Sequence, residues 1–219
     1  KKHHAPFNIL SVVTAYSALK AEKIYCFFKQ NGFGYLQFIP CIDFLALERG
    51  ASSFSLTPER YGSFLIRLFD LWYADLCSGQ YISIRYFDNL IRLLQGGAPE
   101  SCGMSGRCGI QFVIEGDGTV YPCDFYALDG KELGNIKKDS FRSMAVSRNA
   151  KQFTEEALYV PSECKKCPWY ALCRNGCKRD RVFENGVYGQ NYFCSAYKMF
   201  FGKRIHELAD AARRLRGIG

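Results

Sequence analysis

Apolar positions in the first part of the chain switch between a period near two and a period near 3.6. Phe7 to Val13 (FNILSVV) is an uncharged run rich in branched residues and predicts a buried strand. A helix follows with Ala18, Ala21, Tyr25 and Phe28 on one face, ending before Asn31-Gly32. Tyr35 to Ile39 (YLQFI) predicts a second strand, stopped by Pro40. At Thr57-Pro58-Glu59 the threonine can cap a helix, the proline suits its first position and the glutamate its positive end. That helix carries Tyr61, Phe64, Leu65, Leu68, Trp72 and Leu76 at helical spacing. A short strand at Tyr81 to Arg85 and a helix near Phe87 to Leu94 complete the segment. Such alternation predicts an α/β fold with parallel strands and crossover helices. About three strand–helix units are too few to close a barrel, and the chain opens on a strand, so further strands are expected upstream.

Gln95-Gly96-Gly97-Ala98-Pro99 marks a boundary between residues 1–95 and 96–219. Beyond it the chain is dense in cysteine and glycine. QFVIE and TVYPC alternate on either side of Gly116-Asp117-Gly118, which predicts a β-hairpin. Tyr197, Phe201, Ile205, Leu208, Ala212 and Leu215 predict a C-terminal amphipathic helix with a basic outer face.

With 48% hydrophobic and 16% aromatic residues among 219, the chain can build a real core. It contains no apolar run of membrane-spanning length and no secretory pattern at its start, so a cytoplasmic protein without membrane association is expected. Eleven cysteines change that ordinary picture. In a reducing compartment their C-x-x-C spacing favours metal over disulfides. The formal charge of +8 invites a nucleic-acid reading. Yet two four-thiolate clusters at roughly −2 each would bring it to about +4. Lys165, Lys166, Arg174, Lys178, Arg179 and Arg181 then have a local task, offsetting thiolate and cluster charge, and no nucleic-acid partner is expected.

Eight of the cysteines follow the boundary. Cys102, Cys108 and Cys123 surround the hairpin; Cys164, Cys167, Cys173 and Cys177 form C-x2-C-x5-C-x3-C; Cys194 comes last. Soft thiolates select zinc, copper(I) or iron–sulfur clusters, and no histidine lies among them. Zinc ribbons pair two C-x-x-C knuckles, whereas one occurs here. Spacing therefore favours clusters over zinc without excluding a noncatalytic zinc-binding interaction module with all-cysteine sites. Cys26 and Cys77 lie in helical, apolar contexts suited to free thiols, and Cys41 sits at the end of a parallel strand, where ligands tend to bind.

From Cys108 the pattern C-x9-G-x4-C, C-x2-C-x5-C-x3-C and a final C resembles the SPASM motif. SPASM is the twin-cluster extension of certain radical S-adenosylmethionine enzymes. The words QFIPCID, TPERYGSFLIRLFDLW, ISIRYFDNL, CGIQFVIEGDGTVYPCDFY and LGNI resemble the anaerobic sulfatase-maturating enzymes over almost the whole chain. The resemblance implies the C-terminal part of a partial (β/α) radical-SAM barrel at 1–95 and a SPASM domain at 96–219. It implies one auxiliary 4Fe–4S cluster on Cys102, Cys108, Cys123 and Cys177, and another on Cys164, Cys167, Cys173 and Cys194. By the same resemblance Asp124 is the general base and Ile42 an adenine contact of the adenosyl cofactor. The complete enzyme would convert a sulfatase cysteine or serine to formylglycine, with S-adenosylmethionine and a third 4Fe–4S cluster. Its partners would be a sulfatase polypeptide and an electron donor or acceptor such as flavodoxin or ferredoxin, and a monomer is expected. A peptide maturase that crosslinks ribosomal peptides shares the cysteine motif, though the words around Asp124 argue against it. The C-x3-C-x2-C triplet that holds the radical-generating cluster does not occur in these residues, so this polypeptide alone is not expected to cleave S-adenosylmethionine.

Overall fold

Three parallel strands organise the first half of the chain: β1 (Ile9–Val13), β2 (Tyr35–Pro40) and β3 (Ser83–Ile84), in that spatial order. The computed structural model describes residues 5–43 and 48–216. These divide into two compact units, residues 1–100 with 192–219, and residues 101–191. In the first unit a 3-10 turn, Ser17–Lys20, leads into α1 (Ala21–Gln30) between β1 and β2. Helix α2 (Pro58–Cys77) links β2 to β3, and α3 (Arg85–Leu94) follows directly. Parallel pairing requires such crossovers, because a tight turn can only join antiparallel strands.

The strand expected to be buried is buried on one side only. Val13 is buried, while Leu10 and Val12 are 58% and 54% exposed. Among the described residues β1 pairs with β2, and its side chains alternate between the two faces of the sheet.

Helix α2 starts as its sequence dictates. Thr57 Oγ1 accepts from the Arg60 N–H at 3.3 Å, and Pro58 occupies the first helical position. Its inner face buries Tyr61, Phe64, Leu65, Leu68, Phe69 and Trp72, and the Trp72 indole donates to the Ile82 carbonyl at 2.8 Å. Against α2 packs the C-terminal helix, Cys194–Arg214, with Phe69 and Phe200 edge to face at 5.5 Å and Arg204 gripping Asp70 through both nitrogens at 2.5 and 2.9 Å. The sequence boundary at 95–96 groups this helix with the second segment; in space it belongs to the first unit.

Gly62 lets these helices approach. A Cβ there would run into the Met199 side chain and lie 3.1 Å from the Ala196 backbone. Gly62→Val should therefore lower stability by about 1–3 kcal/mol through overpacking, read as a lower denaturation midpoint. An unchanged midpoint would show that the helix pair has room to spare.

The second unit has little regular structure. It holds α4 (Cys102–Ser105), the antiparallel strands β4 (Val113–Ile114), β5 (Thr119–Tyr121) and β6 (Gly134–Asn135), and short helices α5 (Phe141–Ala145), α6 (Arg148–Glu155), α7 (Ser162–Lys165) and α8 (Tyr170–Cys173). A second antiparallel pair, β7 (Arg181–Glu184) and β8 (Val187–Asn191), closes it. One core cluster gathers Val120, Leu133, Met144 and Ala150. Tyr126, Phe153, Ala157 and Leu172 are buried in this unit as well. Among the described residues no helix is long and apolar enough to cross a membrane.

Candidate metal centre

The second unit gathers thiols from chain segments far apart in sequence. Cys102 opens α4 and is exposed, while Cys108 and Cys123 are half-buried. Cys177 meets them from the far side of the sequence: a Cβ on Gly103 would lie 3.3 Å from the Cys177 Cβ. Cys102 and Cys108 both act electrostatically on Cys177, and Cys102 acts on Cys123. The structure thus brings together Cys102, Cys108, Cys123 and Cys177.

The path of the chain explains why Cys177 parts from its sequence neighbours. Cys173 ends α8, and then Arg174, Asn175 and Gly176 all adopt positive φ, at 50°, 64° and 61°. Three consecutive left-handed residues turn the chain sharply away from α8. Asn175 holds the turn, its side chain accepting from the Asn191 N–H at 2.9 Å and donating to the Gly189 carbonyl at 3.0 Å. Gly106, at φ +72°, lets the Cys102–Cys108 loop close on this turn, since a Cβ there would sit 2.5 Å from the Arg174 carbonyl oxygen.

Burial raises the affinity of Cys108, Cys123 and Cys177 for protons. It pushes the Cys108 thiol up against the opposing pull of Lys178 and Arg181. Burial, then the hydrogen bond to Asp124, pushes Cys123 up to about 12. Burial pushes Cys177 up as well. Thiolates in such places need compensating charge and donors, and both are present. Backbone N–H groups of Lys178, Phe125 and Arg179 point at Cys108, Cys123 and Cys177 respectively. Of the six bases that the sequence assigns to charge compensation, two are buried, Lys178 and Arg181, each 1% exposed. Lys165 and Lys166 are exposed, and Arg174 and Arg179 are half-buried.

Lys178 has a carboxylate of its own. Its ammonium lies 3.0 Å from Glu156 and over the rings of Phe153, Tyr126 and Tyr188 at 3.9, 4.6 and 5.0 Å. Arg181 gives its hydrogen bonds to backbone carbonyls alone, those of Asn175, Ala157, Gly106 and Gly176 at 3.2, 2.8, 3.2 and 3.1 Å.

The other group comprises Cys164, buried on α7, with Cys167 and Cys173 half-buried. Burial pushes the Cys164 thiol up, with Cys167 adding to the rise and Arg181 opposing it. Cys194 opens the C-terminal helix of the first unit, and its place in this set rests on the sequence pattern.

Asp124 begins a 3-10 turn, Asp124–Tyr126, and is exposed. The Cys123 thiol donates to its Oδ1 at 3.1 Å. Once Cys123 is a thiolate that proton is gone, and like charge turns the carboxylate away from the sulfur. Ile42 lies in the first unit, buried just past the C-terminal end of β2. Next to it is a residue that sequence reasoning passed over. Asp43 is buried and accepts from the Gly50 N–H, the Ser52 N–H and the Ser55 hydroxyl at 2.7, 3.0 and 2.5 Å. Burial opposes its ionisation, but these bonds outweigh it and hold Asp43 down to about 2. An unfolded aspartate titrates near about 3.9, so this contribution to stability is whole above about pH 4 and disappears as pH falls towards 2. Asp43→Asn should flatten the acid-unfolding profile in that window, and an unchanged profile would remove Asp43 from it. Among the remaining thiols, Cys26 and Cys41 are half-buried and Cys77 is exposed.

The donor set suits a cluster: four thiols gathered from three loops, N–H groups aimed at three of them and a buried cation alongside. Among the described residues no three Cys, His, Asp or Glu side chains converge as one ion requires.

Residues 102–168 match the SPASM family, an iron–sulfur cluster-binding domain. A cysteine-type anaerobic sulfatase-maturating enzyme of Clostridium novyi (strain NT) is 44% identical over 216 residues, 98% of this chain and 58% of that protein. A serine-type enzyme of Bacteroides thetaiotaomicron is 30% identical over 218 residues, 92% of this chain and 52% of that protein. The solved structure of native anSMEcpe with bound AdoMet superposes with a TM-score of 0.95 at 43% identity, covering 98% of this chain and 59% of that one. The resemblance read from the residues therefore holds over nearly the whole chain, which spans a little over half the length of these relatives.

Proposed function

We propose that this chain, a member of the anaerobic sulfatase-maturating enzyme family, carries the two auxiliary 4Fe–4S clusters and the general base of a formylglycine-forming radical enzyme. The observation that carries this reading is the nearness of Cys102, Cys108, Cys123 and Cys177 to one another, with Asp124 bonded to Cys123. These four cysteines would hold one cluster. Cys164, Cys167, Cys173 and Cys194 would hold the other. When bound, the clusters supply a path for the electron that leaves the substrate.

Asp124 does the proton chemistry. Losing a hydrogen atom, a proton and a further electron takes a serine side chain to the aldehyde and a cysteine side chain to a thioaldehyde, which water converts to the aldehyde with release of hydrogen sulfide. An exposed carboxylate beside the first cysteine set can accept the proton at Oδ1 or Oδ2. Ile42 would offer an apolar surface to adenine at the strand end where α/β folds bind ligands. S-adenosylmethionine and the radical-generating third cluster belong to the complete enzyme, as does recognition of the sulfatase. A flavodoxin or ferredoxin is the expected electron partner, and the enzyme is expected to act as a cytoplasmic monomer.

Identity is higher to cysteine-type than to serine-type relatives, 44% against 30%, which favours a cysteine substrate. The test is the complete enzyme, S-adenosylmethionine and a reductant with peptides carrying C-x-P-x-R or S-x-P-x-R. Conversion of the cysteine peptide to formylglycine, seen by mass spectrometry, is expected. A crosslinked peptide without aldehyde would instead assign the chain to the peptide maturases.

A further inference from the structure

Arg181 is a buried charge near the cysteines that the proposed chemistry leaves unused. Its guanidinium is 1% exposed, and among the described residues no carboxylate forms an ion pair with it. A buried cation in that state costs several kcal/mol unless opposite charge is near. The four carbonyls it binds lie beside the thiol loops. Gly106 belongs to the Cys102–Cys108 loop, Asn175 and Gly176 to the turn between Cys173 and Cys177, and Ala157 to the 3-10 turn Glu156–Leu158. One side chain thus fixes the loops that carry three of the four thiols of the first set.

We infer that Arg181 is a positioning residue for the first cluster and its built-in counter-charge, making that cluster easier to reduce. The inference rests on the cluster reading proposed above. A four-iron core held by four thiolates carries about −2 in its oxidised form and about −3 after taking up one electron. A fixed positive charge nearby stabilises the second state more than the first. The electron comes from the reductant used in the titration, and no bond is made or broken at Arg181. Lys178 also acts on Cys108 but is paired with Glu156, and buried Asp180 acts on Cys177 with the opposite sign, so Arg181 adds positive charge that no ion pair offsets among the described residues. The nearness of Arg181 to Cys164 predicts a smaller effect of the same sign on the second cluster.

The test is an anaerobic redox titration of the complete, cluster-loaded enzyme, followed by electron paramagnetic resonance, for the parent, Arg181→Met and Arg181→Lys. Arg181→Met should weaken reduction of one cluster about tenfold, which for one electron is a fall of about 59 mV. Arg181→Lys keeps the charge but loses the fork, and should keep the parental potential. A methionine variant with both clusters present and both reduction waves unmoved overturns the inference. If Arg181→Met loads no first cluster, the lysine variant decides. Parental iron content and potential with lysine support the counter-charge role, whereas a loaded lysine variant whose first wave falls by about 59 mV refutes it. A parent that contains no iron or sulfide refutes the cluster reading itself, which separates the two failures.

Discussion

Cys177→Ala should damage the first of the two proposed clusters and spare the second, so that, any radical-generating cluster set aside, these cysteines keep about half or more of their iron and inorganic sulfide. By sequence spacing the opposite is the natural expectation, because Cys177 stands three residues beyond Cys173 in the run that begins at Cys164. The backbone separates them. Arg174, Asn175 and Gly176 turn left-handed in succession and deliver Cys177 to the side of Cys102 and Cys108. A cubane can hold three ligands and an open iron, so partial retention with a changed electron paramagnetic resonance signal is within the prediction if that signal is the one also altered by Cys108→Ala. If Cys177→Ala alters the signal shared with Cys167→Ala, the assignment of Cys177 is wrong.

Asp124→Asn in the complete enzyme should slow formylglycine formation by about 10²- to 10⁴-fold, the usual contribution of a general base. Asparagine keeps the size of the side chain and removes its capacity to take a proton near neutral pH. Reductive cleavage of S-adenosylmethionine should persist, since Asp124 acts after the hydrogen atom has left the substrate. Both clusters should also persist, because the Cys123 thiol gives up its bond to Asp124 on becoming a thiolate. Full turnover in a variant with parental iron would take Asp124 out of the chemistry. Loss of iron together with activity would make it a support for Cys123 instead.

Much of this was legible in local sequence. The Thr57-Pro58 helix start and the inward stripe of α2 follow from spacing and capping chemistry, which act within a few residues. The cysteine motif was legible for the same reason, since metal ligation repeats short spacings. What escaped depends on partners distant in sequence. The amphipathic pattern from Tyr197 to Leu215 announces a helix with an apolar face, but not that α2 covers it. Lys165 and Arg181 look alike as bases between cysteines; only the fold places one in solvent and the other among four carbonyls. Asp43 gave little signal, because its donors are two backbone N–H groups and a serine hydroxyl reached across a loop. One signal was available and unread. Asn175-Gly176 is a strong turn pair, and between two cysteines it marks where ligands can change allegiance.

The most direct test of the central claim is the metal and sulfide content of the protein purified without oxygen. Two clusters held by eight cysteines predict a brown protein in which, once any radical-generating cluster is accounted for, these cysteines bind about eight irons and about eight sulfides per chain. A colourless protein with stoichiometric zinc and no inorganic sulfide would contradict the account.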